Sequence, residues 1–216
     1  MRPELPEPCL CLVTDRRVGD ETSLVDRVVR AVAGGVNLVQ LREKDLPGGR
    51  LLRLAASLKH AIGGSALLII NERVDVAAAI AADGVQLGEE ALPVAAARDI
   101  LGPEALIGRS VHSEEGAAAA VRAGADFLVA GTMYASRSHP GEEPAGPGLI
   151  RRITPACPVP VIGIGGINAE NLGQVMEAGA AGIAVITSIL ASPDPEVAAR
   201  AIKQAMLAAS PAARGS

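Results

Sequence analysis

The chain has no tryptophan, one tyrosine and one phenylalanine. A site built on aromatic stacking, for nucleic-acid bases or a flat ring, is therefore almost without material. Cysteine is scarce too. Cys9 and Cys11 lie two apart in an apolar stretch, where a strand would put them on one face, and Cys157 sits in a proline-rich loop. No Cys–His spacing suits zinc, so the three thiols read as small buried hydrophobes. A basic field for nucleic acid is lacking, since the formal net charge is −4. No apolar run reaches the length of a membrane span, and the Pro- and Glu-bearing start does not read as a signal peptide. These absences lead to the expectation of a cytoplasmic protein with no nucleic-acid and no membrane partner.

What is present is aliphatic. With 49% hydrophobic and 20% charged residues in 216, the chain can bury a large core without disulfides or a structural metal. Short apolar runs alternate with Ala-rich helical stretches from one end to the other. The runs predict strands over 10–14, 38–41, 67–71, 84–87, 106–110, 127–130, 161–163 and 183–185. They are continuously hydrophobic rather than alternating, as parallel strands covered on both faces must be. Helices are predicted over 23–33, 50–62, 74–82, 93–101, 114–123, 149–153, 169–178 and 195–208. Three helix-to-strand joints, Ala33-Gly34-Gly35, Ala123-Gly124-Ala125 and Ala178-Gly179-Ala180, place Gly where a left-handed cap ends a helix. Eight βα units with no Gly-rich dinucleotide turn after the first strand favour an α/β fold, a single (β/α)₈ TIM barrel, over an open doubly wound sheet. The chain reads as one domain, 1–216, with 208–216 a frayed tail.

In such a barrel the chemistry gathers where the strands end, on the C-terminal face. Strand ends here supply Gln40, Arg42 and Lys44, then Asn71 and Glu72, Gln86, and Ser110 with His112. The long loop after the sixth strand runs from Thr132 to His139 and beyond, Gly165-Gly166 follow the seventh strand, and Thr187-Ser188 follow the eighth. The last two pairs suit a phosphate: glycines let it approach backbone N–H groups, and a helix N-terminus adds partial positive charge. The competing reading of Gly165-Gly166 is a tight turn. Gln40, Arg42 and Lys44 alternate, so they face one way if the strand persists, and two cations on a rim suit an anion. The competing reading is a solvated strand end in which Glu43 pairs a neighbour. His112 is a candidate acid–base group, because an unperturbed imidazole titrates near neutrality, although a structural hydrogen bond is the commoner role. His139, in the long loop, could meet a phosphate as a cation.

Taken together, Gln40-Leu41-Arg42-Glu43-Lys44, Asn71-Glu72-Arg73-Val74-Asp75, Asp83-Gly84-Val85-Gln86-Leu87-Gly88, Ile107-Gly108-Arg109-Ser110-Val111-His112-Ser113 and Ile164-Gly165-Gly166-Ile167 resemble the thiamin phosphate synthase/TenI family. The resemblance covers nearly the whole chain and implies a TIM barrel that binds a small phosphorylated thiazole. In the synthase branch, Gln40 to Lys44, Asn71 and Ser110 would line a pyrimidine diphosphate side. Ser136, Ser138, Gly166, Ile186 and Thr187 would hold a thiazole phosphate. Three positions depart from the synthase pattern. Glu72 and Ala91 stand where metal-binding Asp residues are expected, and Ser136-Arg137-Ser138-His139 lacks the Lys of the loop motif. Ser110-Val111-His112-Ser113 instead resembles the TenI motif, whose His moves a proton. The sequence reading therefore puts a TenI-type thiazole tautomerase first, with His112 catalytic and no cofactor. The alternative is a thiamin phosphate synthase that joins the pyrimidine diphosphate to the thiazole phosphate, with Mg²⁺ held by Glu72 and with Glu90 as a substitute ligand next to Ala91. A second alternative is a barrel that only binds the thiazole phosphate. A homodimer is left open as its assembly.

Overall fold

A computed structural model describes residues 2–18, 24–135 and 143–209. Eight parallel strands close into a barrel in sequence order: β1 (Cys9–Val13), β2 (Leu38–Leu41), β3 (Leu67–Asn71), β4 (Gly84–Leu87), β5 (Leu106–Val111), β6 (Phe127–Ala130), β7 (Val161–Ile164) and β8 (Gly182–Val185). Closure is made by β1 against β8, with Cys9 opposite Gly182 and Leu12 opposite Val185. Around the barrel lie α1 (Leu24–Ala33), α2 (Gly48–Ile62), α3 (Val74–Ala79), α4 (Val94–Leu101), α5 (Glu114–Arg122), α6 (Pro147–Ile153), α7 (Leu172–Glu177), α8 (Thr187–Leu190) and α9 (Pro195–Ala209). The strands match the sequence expectation to within one or two residues. The single turn α8 and the later start of α7 differ from it. The expected tail begins too early, because α9 runs through Ala209, and the remainder of that tail lies outside the described residues.

Strand parity divides the core in two. Cys9, Cys11, Val13, Leu38, Ile69, Leu106, Phe127, Val129, Ile162 and Ala184 point into the barrel, whereas their neighbours Leu10, Leu12, Val39, Leu68 and Ile70 pack against the helices. Burial pushes the Cys9 thiol up to about 12 and Cys11 up as well, so both are inert fillers of the barrel floor. Phe127 is the one aromatic ring of the chain's interior and is completely buried. It fits because Gly108 faces it: a Cβ there would fall 2.3 Å from the ring.

The opposite, N-terminal end is stitched by a repeated device. Asn37, Asp83 and Asp126 each precede an even-numbered strand and accept the backbone N–H of Leu10, Leu68 and Ile107 on the strand before, at 2.8, 2.7 and 2.8 Å. Each removes an otherwise unpaired donor from a buried strand start. At the joints, Gly35, Gly124 and Gly179 all hold left-handed φ, as the helix-cap reading requires.

Candidate active site

The parity that fills the barrel also selects the residues above it. Leu38 points inward, so Gln40 and Arg42 do as well; Ile69 carries Asn71 with it, and Leu106 carries Gly108 and Ser110. These side chains open onto a cavity of about 590 Å³ at the C-terminal rim. Gln40, Arg42, Lys44, Asn71, Glu72, Ser110, His112, Gly165, Gly166, Ile186, Thr187 and Ser188 all line it. Ser136, Ser138 and His139 lie outside the described residues. Gln86 and Glu89 also line it, whereas Ala91 packs partly buried against the helix layer.

One half of the cavity is polar. Gln40 donates through Nε2 to Asn71 Oδ1 at 3.0 Å, and Gln86 donates to Ser110 Oγ at 3.1 Å. Gln40 and Gln86 are 4% and 2% exposed, so their amides form a buried floor whose orientation is fixed by these bonds. Gln86 Oε1 has no hydrogen-bond partner. It lies over Gly108, on the side that the Phe127 ring also approaches. Above this floor, Lys44 Nζ stands 3.4 Å from Glu72 Oε1. Glu72 holds a left-handed backbone, φ 59°, and its carboxylate occupies space left open by Gly88, where a Cβ would lie 2.7 Å from Oε1. A strained non-glycine residue of this kind persists only where its surroundings hold it, and such residues cluster at functional sites.

Behind the cations lies a network of which sequence reasoning named only the pairing of Glu43 with an unspecified neighbour. Glu43, whose side chain is 2% exposed, accepts from Thr14 Oγ1 at 2.7 Å, from the Arg16 backbone N–H at 3.1 Å and from Arg16 Nη1 at 3.1 Å. Thr14 Oγ1 in turn accepts the Arg42 N–H at 2.9 Å. Arg16 also grips Asp45 with both terminal nitrogens, at 2.6 and 2.7 Å. That bidentate bond holds the Asp45 carboxyl down at about 2 and raises Arg16. The only sequence signal was the alternation itself: if Arg42 and Lys44 face inward, Glu43 and Asp45 must find partners outward.

The other half is aliphatic and glycine-rich. Val13, Val129, Ile164, Ala184 and Ile186 line it, beneath Gly165-Gly166 and the start of α8. Tyr134 N donates to Gly165 O at 3.0 Å, and the Tyr134 hydroxyl reaches Asn171 O and Gln174 Oε1 at 3.1 Å each, so the first residues of the long loop are fastened to the β7 turn. The bonds of α8 begin with Ile189 and Leu190 donating to Ile186 O, which leaves the N–H groups of Thr187 and Ser188 at the open end of the turn. Ser188 Oγ donates to Ile167 O at 2.7 Å, so its hydroxyl braces the neighbouring loop. Between the halves stands His112, with Nδ1 2.7 Å from Gly131 O. A carbonyl only accepts, so Nδ1 carries the proton and Nε2 is the remaining ring nitrogen.

Among the described residues no group of three His, Cys, Asp or Glu is placed to hold a metal, and no helix is long and apolar enough to cross a membrane. Comparison with known proteins then corrects the sequence reading. The thiamine monophosphate synthase family model, TMP-TENI, matches residues 10–189. A putative thiamine-phosphate synthase of Geobacter sulfurreducens is 47% identical over 195 residues, covering 89% of this chain and 92% of that one. A thiamine-phosphate synthase of Chlorobium luteolum is 44% identical over 201 residues, covering 92% and 93%. The solved thiamine phosphate pyrophosphorylase from Pyrococcus furiosus superposes with a TM-score of 0.85 at 35% identity, covering 93% of this chain and 96% of that one. These relatives overturn the tautomerase-first ranking, and with it the isomerase assignment of His112. The ranking gave too much weight to Glu72, Ala91, His139 and one His-bearing motif. Glu72 still reaches the cavity, and Glu89 also lines it. The chain belongs to the thiamine monophosphate synthase (TMP-TENI) family.

Proposed function

We propose that the protein is a thiamin phosphate synthase, a transferase that joins a pyrimidine methyl diphosphate to a thiazole phosphate. The C–O bond to the diphosphate breaks, the methylene carbon bonds to the thiazole nitrogen, and the diphosphate leaves with the electron pair. The observation that carries this reading is that one cavity has two separate edges whose residues suit anions. Arg42 and Lys44 on the polar side suit the diphosphate; Gly165, Gly166 and the N–H groups of Thr187 and Ser188 suit the single phosphate. A cavity of about 590 Å³ lies within the range that encloses small metabolites.

The buried amides of Gln40 and Gln86 orient the pyrimidine, since a site with fixed donors and acceptors rejects rings that leave them unpaired. Ile164 and Ile186 cover the thiazole side and exclude water that would otherwise take the electrophilic carbon. Mg²⁺ suits hard oxygens at the β3–β4 edge: Glu72, in the space kept by Gly88, would supply a carboxylate, and the diphosphate would supply further oxygens. When bound, the ion would neutralise the leaving diphosphate. Cytoplasmic action belongs to this reading, and it is supported by Cys9, Cys11 and Cys157 all being free thiols. The two-edge reading is tested by calorimetry. A thiazole phosphate and inorganic diphosphate with Mg²⁺ should bind together, neither displacing the other; mutual exclusion would count against it.

A further inference from the structure

We propose that Arg16 and Glu43 are positioning residues that keep Arg42 and Lys44 available to an anionic diphosphate. This rests on the synthase reading, and it concerns residues that never touch the ligand. The stretch Arg42-Glu43-Lys44-Asp45 alternates cation and anion. Left alone, such a segment would neutralise itself, because neighbouring side chains at a frayed strand end can fold over one another. The structure prevents this by geometry. Glu43 is drawn to the outer side by the Thr14 hydroxyl and by the Arg16 backbone and guanidinium. Asp45 is drawn to the same side by the bidentate grip of Arg16 at 2.6 and 2.7 Å.

One guanidinium thus takes up both carboxylates that flank Lys44 in the chain. Arg42 and Lys44 are left facing the cavity. The Arg42 guanidinium has no hydrogen-bond or ion-pair partner among the described residues, and Lys44 has only the long 3.4 Å contact to Glu72. The Thr14 hydroxyl locks the register by giving its proton to Glu43 while accepting the Arg42 N–H. The Asp45 side chain is 51% exposed, but the Arg16–Glu43 half of the clamp is mostly shielded: the Arg16 side chain is 18% exposed and that of Glu43 is 2% exposed. Its charge pairing is therefore less open to screening by salt than a surface pair would be.

Two variants test this, Arg16→Met and Glu43→Gln. Arg16→Met keeps an apolar stem of similar reach, and Glu43→Gln keeps the shape and an acceptor for Thr14. Each should raise KM for the pyrimidine diphosphate about tenfold or more and leave KM for the thiazole phosphate within twofold. The affinity for inorganic diphosphate, measured by calorimetry, should fall by a similar factor. Equal shifts in both KM values together with a lowered melting midpoint would show a merely structural role and overturn the proposal. Unchanged diphosphate affinity in both variants would overturn it too. If the parent binds inorganic diphosphate but forms no product, the synthase reading fails and the clamp is still judged by the calorimetric comparison. A parent that does not bind inorganic diphosphate contradicts both.

Discussion

Gly166 lacks a side chain for two reasons at once. Its φ of 61° is one that L side chains rarely adopt, and a Cβ there would lie 2.5 Å from Ala135 O and 2.9 Å from Tyr134 Cβ. The sequence reading offered the approach of phosphate or a tight turn for this glycine, and neither included the backbone of the long loop's first residues, which occupies the same side. Gly166→Ala should therefore raise KM for the thiazole phosphate at least tenfold and also cost about 1–3 kcal/mol in stability. Kinetics and a thermal melt on the same preparation check both, and an unmoved melting midpoint would show that the 134–135 backbone yields. His112 carries a different expectation once the isomerase role is withdrawn. The transfer written above moves no proton, so His112→Ala should lower kcat by less than the roughly 10²-fold that marks the lower end of general acid–base contributions. A larger loss at saturating substrate would mean that the imidazole handles a proton during the reaction.

The strands were legible in the sequence because burial on both faces makes them uninterrupted aliphatic runs, and three glycine joints marked the ends of α1, α5 and α7. The elements that were not legible are those with too few residues to carry a period. Four residues of α8 cannot display one, and the start of α7 is displaced because Asn168 and Asn171 make local side-chain turns at 2.8 to 3.2 Å ahead of the helix. Interior packing was legible only as composition. Nothing in Gly108-Arg109-Ser110 announces that its glycine faces the one phenylalanine, a pairing made between β5 and β6 by the register that sets Gly108 opposite Phe127. Gly108→Ala would put a Cβ 2.2 Å from Gln86 Oε1 and 2.3 Å from Phe127 Cζ. Overpacking of this kind costs about 1–3 kcal/mol, so the melting midpoint should fall by several degrees. Because the same change pushes on the Gln86 amide, KM for the pyrimidine diphosphate should rise with it, and a variant that melts like the parent would show that the barrel has slack at this layer.

At the scale of the whole molecule, a barrel of parallel strands does most of the positioning before any individual residue acts. One parity rule fills the interior with aliphatics below and delivers amides, cations and glycines to the rim above. That rim set was readable from strand ends, and the structure gathers its described members around one cavity. The clamp of Arg16 with Glu43 and Asp45 was not readable, because its partners lie 27 and 29 residues apart and meet only when β1 and β2 pair. Nor could motif departures rank the two chemistries, since whether a longer carboxylate still reaches the cavity depends on backbone placement that the sequence does not display. The most direct measurement is product formation by the purified protein. Supplied with the pyrimidine diphosphate, the thiazole phosphate and Mg²⁺, it should release diphosphate and thiamin phosphate in equal amounts at an ordinary enzymatic rate, and omission of any one component should abolish turnover. Failure to form thiamin phosphate from the complete mixture, with a folded protein that binds both substrates, would contradict the account.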